Sequence, residues 1–352
     1  VQFTLLEVTH EGSLREIRVE SSGMYIVGVG AAYPDTELTG EFLDSLGLHL
    51  TDAERGILAR LGIRSRRTSL PLDYISATRN IDLLEARTRA AMSPTDLGVL
   101  AARQALERAG ITIEQVGLVV ADSATPYQTC PAEAHRIAGA FGVKVASYDI
   151  VAGSGAIPLY IEMLSTWKQE RIPDYVLFVS TNTPTQQVSY KGSALAPYVF
   201  GDAASAVVLS SRHNGKLKVI DSYLRKQGEL KPVVAVNHHM AFAAEHLPHD
   251  AEVVNLVEQG LRRLSEKLSL STRNLVLVGP QLFYGDLTAN SERLGVSPDR
   301  LAVGVADVGY SVGASIGVAI SSRWDQIGEG QQIVVIHTGD GLWSGSILLA
   351  SE

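Results

Sequence analysis

Four segments carry residue types able to do covalent, acid–base or metal chemistry. In Asp149-Ile-Val-Ala-Gly-Ser154-Gly-Ala, an apolar strand ends in small residues and a serine meets the start of a helix. The unpaired N–H groups and the positive dipole end of a helix start suit a nucleophile or a developing oxyanion. The same residues also make a serine cap in a glycine-rich turn. Gly309-Tyr-Ser311-Val-Gly313 matches the nucleophile elbow of a hydrolase, with Asp325 and His337 following in Ser–Asp–His order. Little chain remains beyond Gly313 for the rest of a hydrolase sheet, so a tight strand–helix turn is the competing reading. The run His238-His239-Met-Ala-Phe-Ala-Ala-Glu245-His246-Leu-Pro248-His249-Asp250 is rich in ligand types. Its spacing is not His-Glu-x-x-His and Pro248 interrupts it, so a solvated loop or lid is expected and no metal site. Cys130 precedes a helix beginning at Pro131, where a thiol is acidified, although a partly buried small apolar residue is the expectation. Gly28-Val-Gly30-Ala-Ala-Tyr33 opens like a dinucleotide fingerprint, but it lacks the third glycine and runs into Pro34, so no dinucleotide site is expected.

These residues need elements to position them. YIVGV (25–29), VGLVV (116–120), SYDIV (147–151) and YVLFVS (175–180) predict buried strands. The stretch 93–110 predicts a helix capped by Ser93 or Thr95 and stopped by Gly110. PAEAHRIAGAFG places Pro131 in a first helical turn and closes on glycine. An internal echo then organises the chain. Helix 95–110 and ITIEQVGLVVAD are answered by helix 250–268 and LSLSTRNLVLVGP. SYDIVAGSGAIPLYI (147–161) is answered by AVGVADVGYSVGASIGVAI (302–320), and FGDAASAVVLSS (200–211) by TGDGLWSGSILLAS (338–351). Offsets of about 140–160 residues in preserved order predict an α/β fold of two duplicated βαβ-type halves, with a site where they meet. The predicted division is an extension at 1–23, a hairpin turning at Glu11-Gly12, then halves at 24–211 and 212–352. Ser154 and Ser311 become twins at the heads of related helices.

Composition narrows the class. A length of 352 residues, 45% hydrophobic, allows about two packing units with a large core. A net charge of −8 excludes a basic nucleic-acid or anionic-membrane binder, and one cysteine excludes a disulfide framework. No apolar run reaches the ~18 residues of a bilayer span, and the charged first 22 residues do not read as a signal peptide; a cytoplasmic protein is expected.

Several segments together resemble one family. Leu61-Gly-Ile-Arg-Ser-Arg-Arg67 resembles a TGIRxRR segment, Phe200-Gly-Asp-Ala-Ala-Ser-Ala-Val-Val208 an FGDGAGAAV segment, and Gly339-Asp-Gly-Leu-Trp-Ser-Gly-Ser346 a GGGFTWGS segment. From about Met24 to Ser351 the chain resembles a ketoacyl-ACP synthase III-like member of the thiolase superfamily. The resemblance implies the thiolase fold, with duplicated halves in five layers, α-β-α-β-α. It also implies a Cys nucleophile at a helix start, with a His and an Asn stabilising an enolate. Ser154 falls at the Cys position. Gln281, after Pro280, falls at the His position and Tyr310 at the Asn position. Asp340 replaces one glycine of the final GGG, leaving its backbone N–H and that of Gly341 as the oxyanion region. Gly56 stands where a tryptophan stacks on CoA adenine, and Arg60 keeps the neighbouring basic position.

These replacements bear on the reaction. A serine hydroxyl needs an adjacent base where a thiolate needs only modest help. Gln and Tyr can donate hydrogen bonds but carry no His-type charge, and losing one oxyanion donor typically removes about 10²–10³ in rate. The expectation is therefore a component of a bacterial acyltransferase or ketosynthase assembly in polyketide or phloroglucinol-type secondary metabolism, with condensing chemistry of its own lost. Such a chain would pair with a thiolase-superfamily partner subunit, as a homo- or heterodimer, and meet an acyl carrier protein or acyl-CoA donor, with no bound cofactor. By resemblance to phloroglucinol acetyltransferase assemblies, a thiolase-like and a small zinc-binding subunit would stand beside it. The alternative is an acyltransferase using Ser154 as nucleophile, with His135, His238, His239 or His337 as base.

Overall fold

The computed structural model describes residues 16–20, 23–191, 195–226, 234–236, 242–244, 250–268, 275–339 and 343–352. Ten strands form one mixed sheet: β1 Glu16–Glu20, β2 Tyr25–Ala32, β3 Val116–Asp122, β4 Ala146–Asp149, β5 Tyr175–Asn182, β6 Ala203–Ser210, β7 Leu217–Lys226, β8 Leu275–Val278, β9 Gln332–Gly339 and β10 Trp343–Ser351. The order is β8-β9-β10-β7-β2-β6-β5-β3-β4, with β1 antiparallel to β7 off that path. Outward from the central β2–β7 pairing, the two arms read alike. On one side lie β6, β5, β3 and β4; on the other lie β10, β9 and β8, with Leu301 bridging β8 where the fourth strand would stand. In each arm the strand next to the centre is antiparallel to its neighbours and the outer pairings are parallel. This is the duplicated α/β architecture that the echo predicts.

Strand alternation sorts the core into layers. On β5, Val176 and Phe178 face the central layer, whereas Leu177 and Val179 face outwards. On β9, Ile333 and Val335 face the centre, whereas Val334 and Ile336 face the other side. Helices α1 Pro94–Ala109 and α2 Glu133–Ala140 cover one outer face, and α4 Asp250–Leu268 covers the other. Helices α3 Ala156–Ser165 and α5 Ala314–Arg323 are sandwiched between the sheet arms, giving five layers.

Local signals explain most boundaries. Ser93, not Thr95, caps α1 through a capping box with Asp96, and Gly110 ends the helix in the left-handed conformation. Gly28 and Gly30 are packing residues, because a Cβ at either would collide with Ala105 or Ala101 backbone on α1. Three expectations are corrected. Pro131 lies ahead of α2, whose cap is Ala132. The fourth strand stops at Asp149: Ile150 N–H still reaches Ala121 O on β3, but Ala152 N–H goes to the side chain of Asp122. The segment before Ser311 is irregular, holding isolated bridges, Leu277–Leu301 and Phe200–Tyr310, in place of a strand. Of the N-terminal hairpin, only β1 lies among the described residues.

Candidate active site

The parallel strands β3, β5 and β8, with β9, deliver their C-terminal ends to one side of the sheet, where ligand sites of open α/β sheets collect. The turn Ala152-Gly-Ser154-Gly155 joins β4 to α3 there, and β9 packs against it. Gly153 has φ +59°, a left-handed value that lets the chain reverse into the helix, and Ser154 is half-buried. Beneath the turn stands Asp122, fully buried at the end of β3. One carboxylate oxygen accepts Ala152 N–H at 2.9 Å and the other accepts Ser180 Oγ at 2.7 Å. The Gly153 N–H also donates to this carboxylate. Burial, which outweighs these donors, pushes its pKa up to about 6, and the nearby Asp149 charge acts in the same direction.

The twin turn, 309–313, presses on the first. A Cβ at Gly313 would strike Asp122, Ser180 and the Gly153 carbonyl. Ser311 is 1% exposed and donates its hydroxyl to Gly201 O at 2.7 Å, while its N–H is held by Ser315 Oγ at 2.9 Å. Val312 is locked at φ +51°, a rare state for a β-branched residue. These facts overturn the hydrolase elbow. Asp325 lies beyond the far end of α5, about 15 Å of helix away, and is paired with Arg108 at 2.7 Å.

Gln281 is buried at the end of β8, where its amide braces two loops. Nε2 donates to Gly279 O at 3.0 Å and Ala302 O at 3.2 Å, and Oε1 accepts Gly304 N–H at 2.7 Å. Both amide protons are therefore committed to backbone. Tyr310 is buried in an apolar cluster with Phe200, Leu282, Phe283 and Val305, its ring 6.2 Å from that of Phe200. Asp340, Gly341, His238 and His239 lie outside the described residues. Among the described ones, no cluster of His, Cys, Asp and Glu could hold a metal. His135 is exposed on α2. His337 is buried on β9 and shares the inward face of Ile333 and Val335, beside Gly345. Burial lowers its pKa to about 3, so it is neutral at pH 7. Cys130 is exposed rather than partly buried, because the loop before α2 turns it to the surface. Gly56 is exposed with open space around it, and Arg60 is half-buried, its charge opposing the burial that raises the pKa of Asp286.

The recognised motifs form one woven support. Arg64 and Arg67 donate backbone N–H groups to Ala306 O and Val308 O, Asp202 donates to Arg67 O, and Tyr310 to Val199 O. Buried Asp202 accepts four hydrogen bonds, two each from Ser69 and Thr185, at 2.6–2.9 Å. Asp122 is the residue that sequence reasoning missed; its one signal was an acid closing an otherwise apolar strand.

No family model matches the chain. Among curated proteins it is similar to the β-ketoacyl-[acyl-carrier-protein] synthase III of Symbiobacterium thermophilum, 24% identical over 349 residues covering 92% of this chain and 97% of that one. Among solved structures it superposes on 3-oxoacyl-[acyl-carrier-protein] synthase III from Aquifex aeolicus with a TM-score of 0.77 at 21% identity, covering 93% and 99% of the two chains. The priming β-ketosynthase of the R1128 polyketide pathway gives 0.72 at 21% identity, covering 95% and 98%. Over nearly its whole length the chain is similar to ketoacyl-ACP synthases III, and it has their fold. No helix among the described residues is long and apolar enough to cross a membrane.

Proposed function

We propose that this synthase III-like chain is a component of an acyltransferase or ketosynthase assembly in polyketide or phloroglucinol-type metabolism, without condensing activity of its own. The observation that carries this reading is the bonding of Gln281. With both amide protons on Gly279 O and Ala302 O, it has no donor left for an enolate. Tyr310 supports it, since its ring belongs to an apolar cluster. The chain would act by pairing with a thiolase-superfamily partner that holds the working site, served by a carrier-bound acyl group. The test is condensation of acyl and malonyl carrier thioesters by the isolated chain, then by the chain with its co-purifying partner. No product alone and turnover with the partner is expected. Turnover by the isolated chain, undiminished in Gln281→Ala, would overturn the reading.

A second reading is acyl transfer through Ser154, favoured by its half-buried place at the head of α3, with β9 packed against the turn. The burial that keeps His337 neutral also makes it a weak base, so in this reading the proton acceptor is another group. Intact-protein mass after incubation with acyl-CoA and acyl-carrier donors should then show an adduct that disappears in Ser154→Ala. No adduct from any donor removes this reading and leaves the first.

A further inference from the structure

We infer that Asp122 is an electrostatic brake on the Ser154 turn, a specificity-determining residue that makes the head of α3 hostile to negative charge. This rests on the reading that Ser154 stands at the nucleophile position. N–H groups at a helix start ordinarily favour an anion. Here the chain leading into α3 puts the N–H groups of Ala152 and Gly153 on a buried carboxylate, Asp122, just ahead of the helix start. Their partial positive charge is taken up there, and the charge of the carboxylate opposes the positive end of α3. Ser154 follows Ala152 by two residues, so the carboxylate is within about 10 Å of its hydroxyl. At that range, in a partly buried setting, one unit charge changes a neighbour's ionisation constant by on the order of tenfold.

Among the described residues, the one charged group acting on Asp122 is another acid. From β5 it meets the neutral Ser180 hydroxyl, and from the 309–313 turn the bare Cα of Gly313. From β4 comes Asp149, also an acid, whose carboxylate is turned to the N–H groups of Glu133 and Ala134 at 2.7 and 2.8 Å. The turn therefore disfavours a thiolate, an enolate or a tetrahedral oxyanion and tolerates a neutral hydroxyl or an intact thioester. Protonation of Asp122 at mildly acid pH releases the brake.

The test uses a thiol as a local probe that needs no acyl donor. In the full chain carrying Ser154→Cys, the pH dependence of iodoacetamide alkylation gives the thiolate fraction, with and without Asp122→Asn. About tenfold more thiolate at pH 7 is expected when the carboxylate is replaced by the isosteric amide, with melting behaviour confirming that both proteins are folded. Equal thiolate fractions in the two folded proteins would overturn the proposal. Ser180→Ala gives a second route if the Asn variant does not fold. Losing that donor makes Asp122 easier to protonate, so alkylation at pH 6–7 should rise severalfold, and an unchanged profile would count against the brake. Failure of Ser154 to take an acyl group from any donor would sink only the acyl-transfer reading, because the thiol measurement does not depend on it.

Discussion

At residues 152–155 the chain leaves a strand, reverses at a glycine and offers a half-buried serine at the head of α3; at 309–313 a similar run of glycine, serine and glycine leads into α5. The first turn rests on a buried acid and has β9 beside it. The second has its serine hydroxyl tied to Gly201 O and its tyrosine sunk among Phe200 and Leu282. One pattern thus serves as a candidate site in one half and as a brace in the other. Residue type and spacing describe the turn, but the segment packed against it decides how deeply its serine is buried.

Substitutions can break that comparison or sharpen it. Gly313→Ala should have the largest effect, since the new methyl meets Asp122, Ser180 and Gly153 together. A loss of about 3 kcal/mol in urea unfolding is expected. A change below about 1 kcal/mol would mean that the turns are not jammed together. Asp122 comes next, with its effect confined to a pH window. Its folded pKa of about 6 lies above the ordinary aspartate value of 3.8, burial being the main cause. The carboxylate therefore favours the folded state only while protonated, and stability falls as pH rises from about 4 to about 6. The loss is about 3 kcal/mol, levelling off above that range. The difference in melting temperature between wild type and Asp122→Asn should shift in the variant's favour across this window and stay flat at higher pH.

Ser311→Ala removes the donor to Gly201 O and should destabilise by about 1–2 kcal/mol, while leaving any acyl adduct on Ser154 intact. Loss of the adduct in that variant would return Ser311 to the chemistry. Ser154→Ala should be the mildest, within about 0.5 kcal/mol in unfolding, because the side chain is half-buried at a turn. A larger loss would make this serine a brace like its twin.

Much of the frame was legible in the chain because it rests on local causes. The apolar run 175–180 that becomes a buried strand and the helix with its cap near Ser93 and its stop at Gly110 follow from backbone geometry within a few residues, and the echo repeats such local patterns in order. The segments 61–67 and 200–208 were legible as a resemblance, and the structure adds why they co-occur, since their backbones hydrogen-bond to each other and to 306–310. Ser154, Gln281 and Tyr310 were also found in the sequence as positions of interest. What each can do was not. Gln281 is committed to loops of which one lies 21–23 residues away, Ser311 to a carbonyl 110 residues away, and Asp122 to a hydroxyl 58 residues away. Cys130 was misread because nothing adjacent in the chain sets which side of its loop meets solvent. The sequence by itself determined the elements, their doubling and the residue types at the site, since these depend on short-range periodicity and capping. Only the tertiary structure decided burial, the partner of each polar group and the charge beneath Ser154, because those depend on which distant segments fold against them.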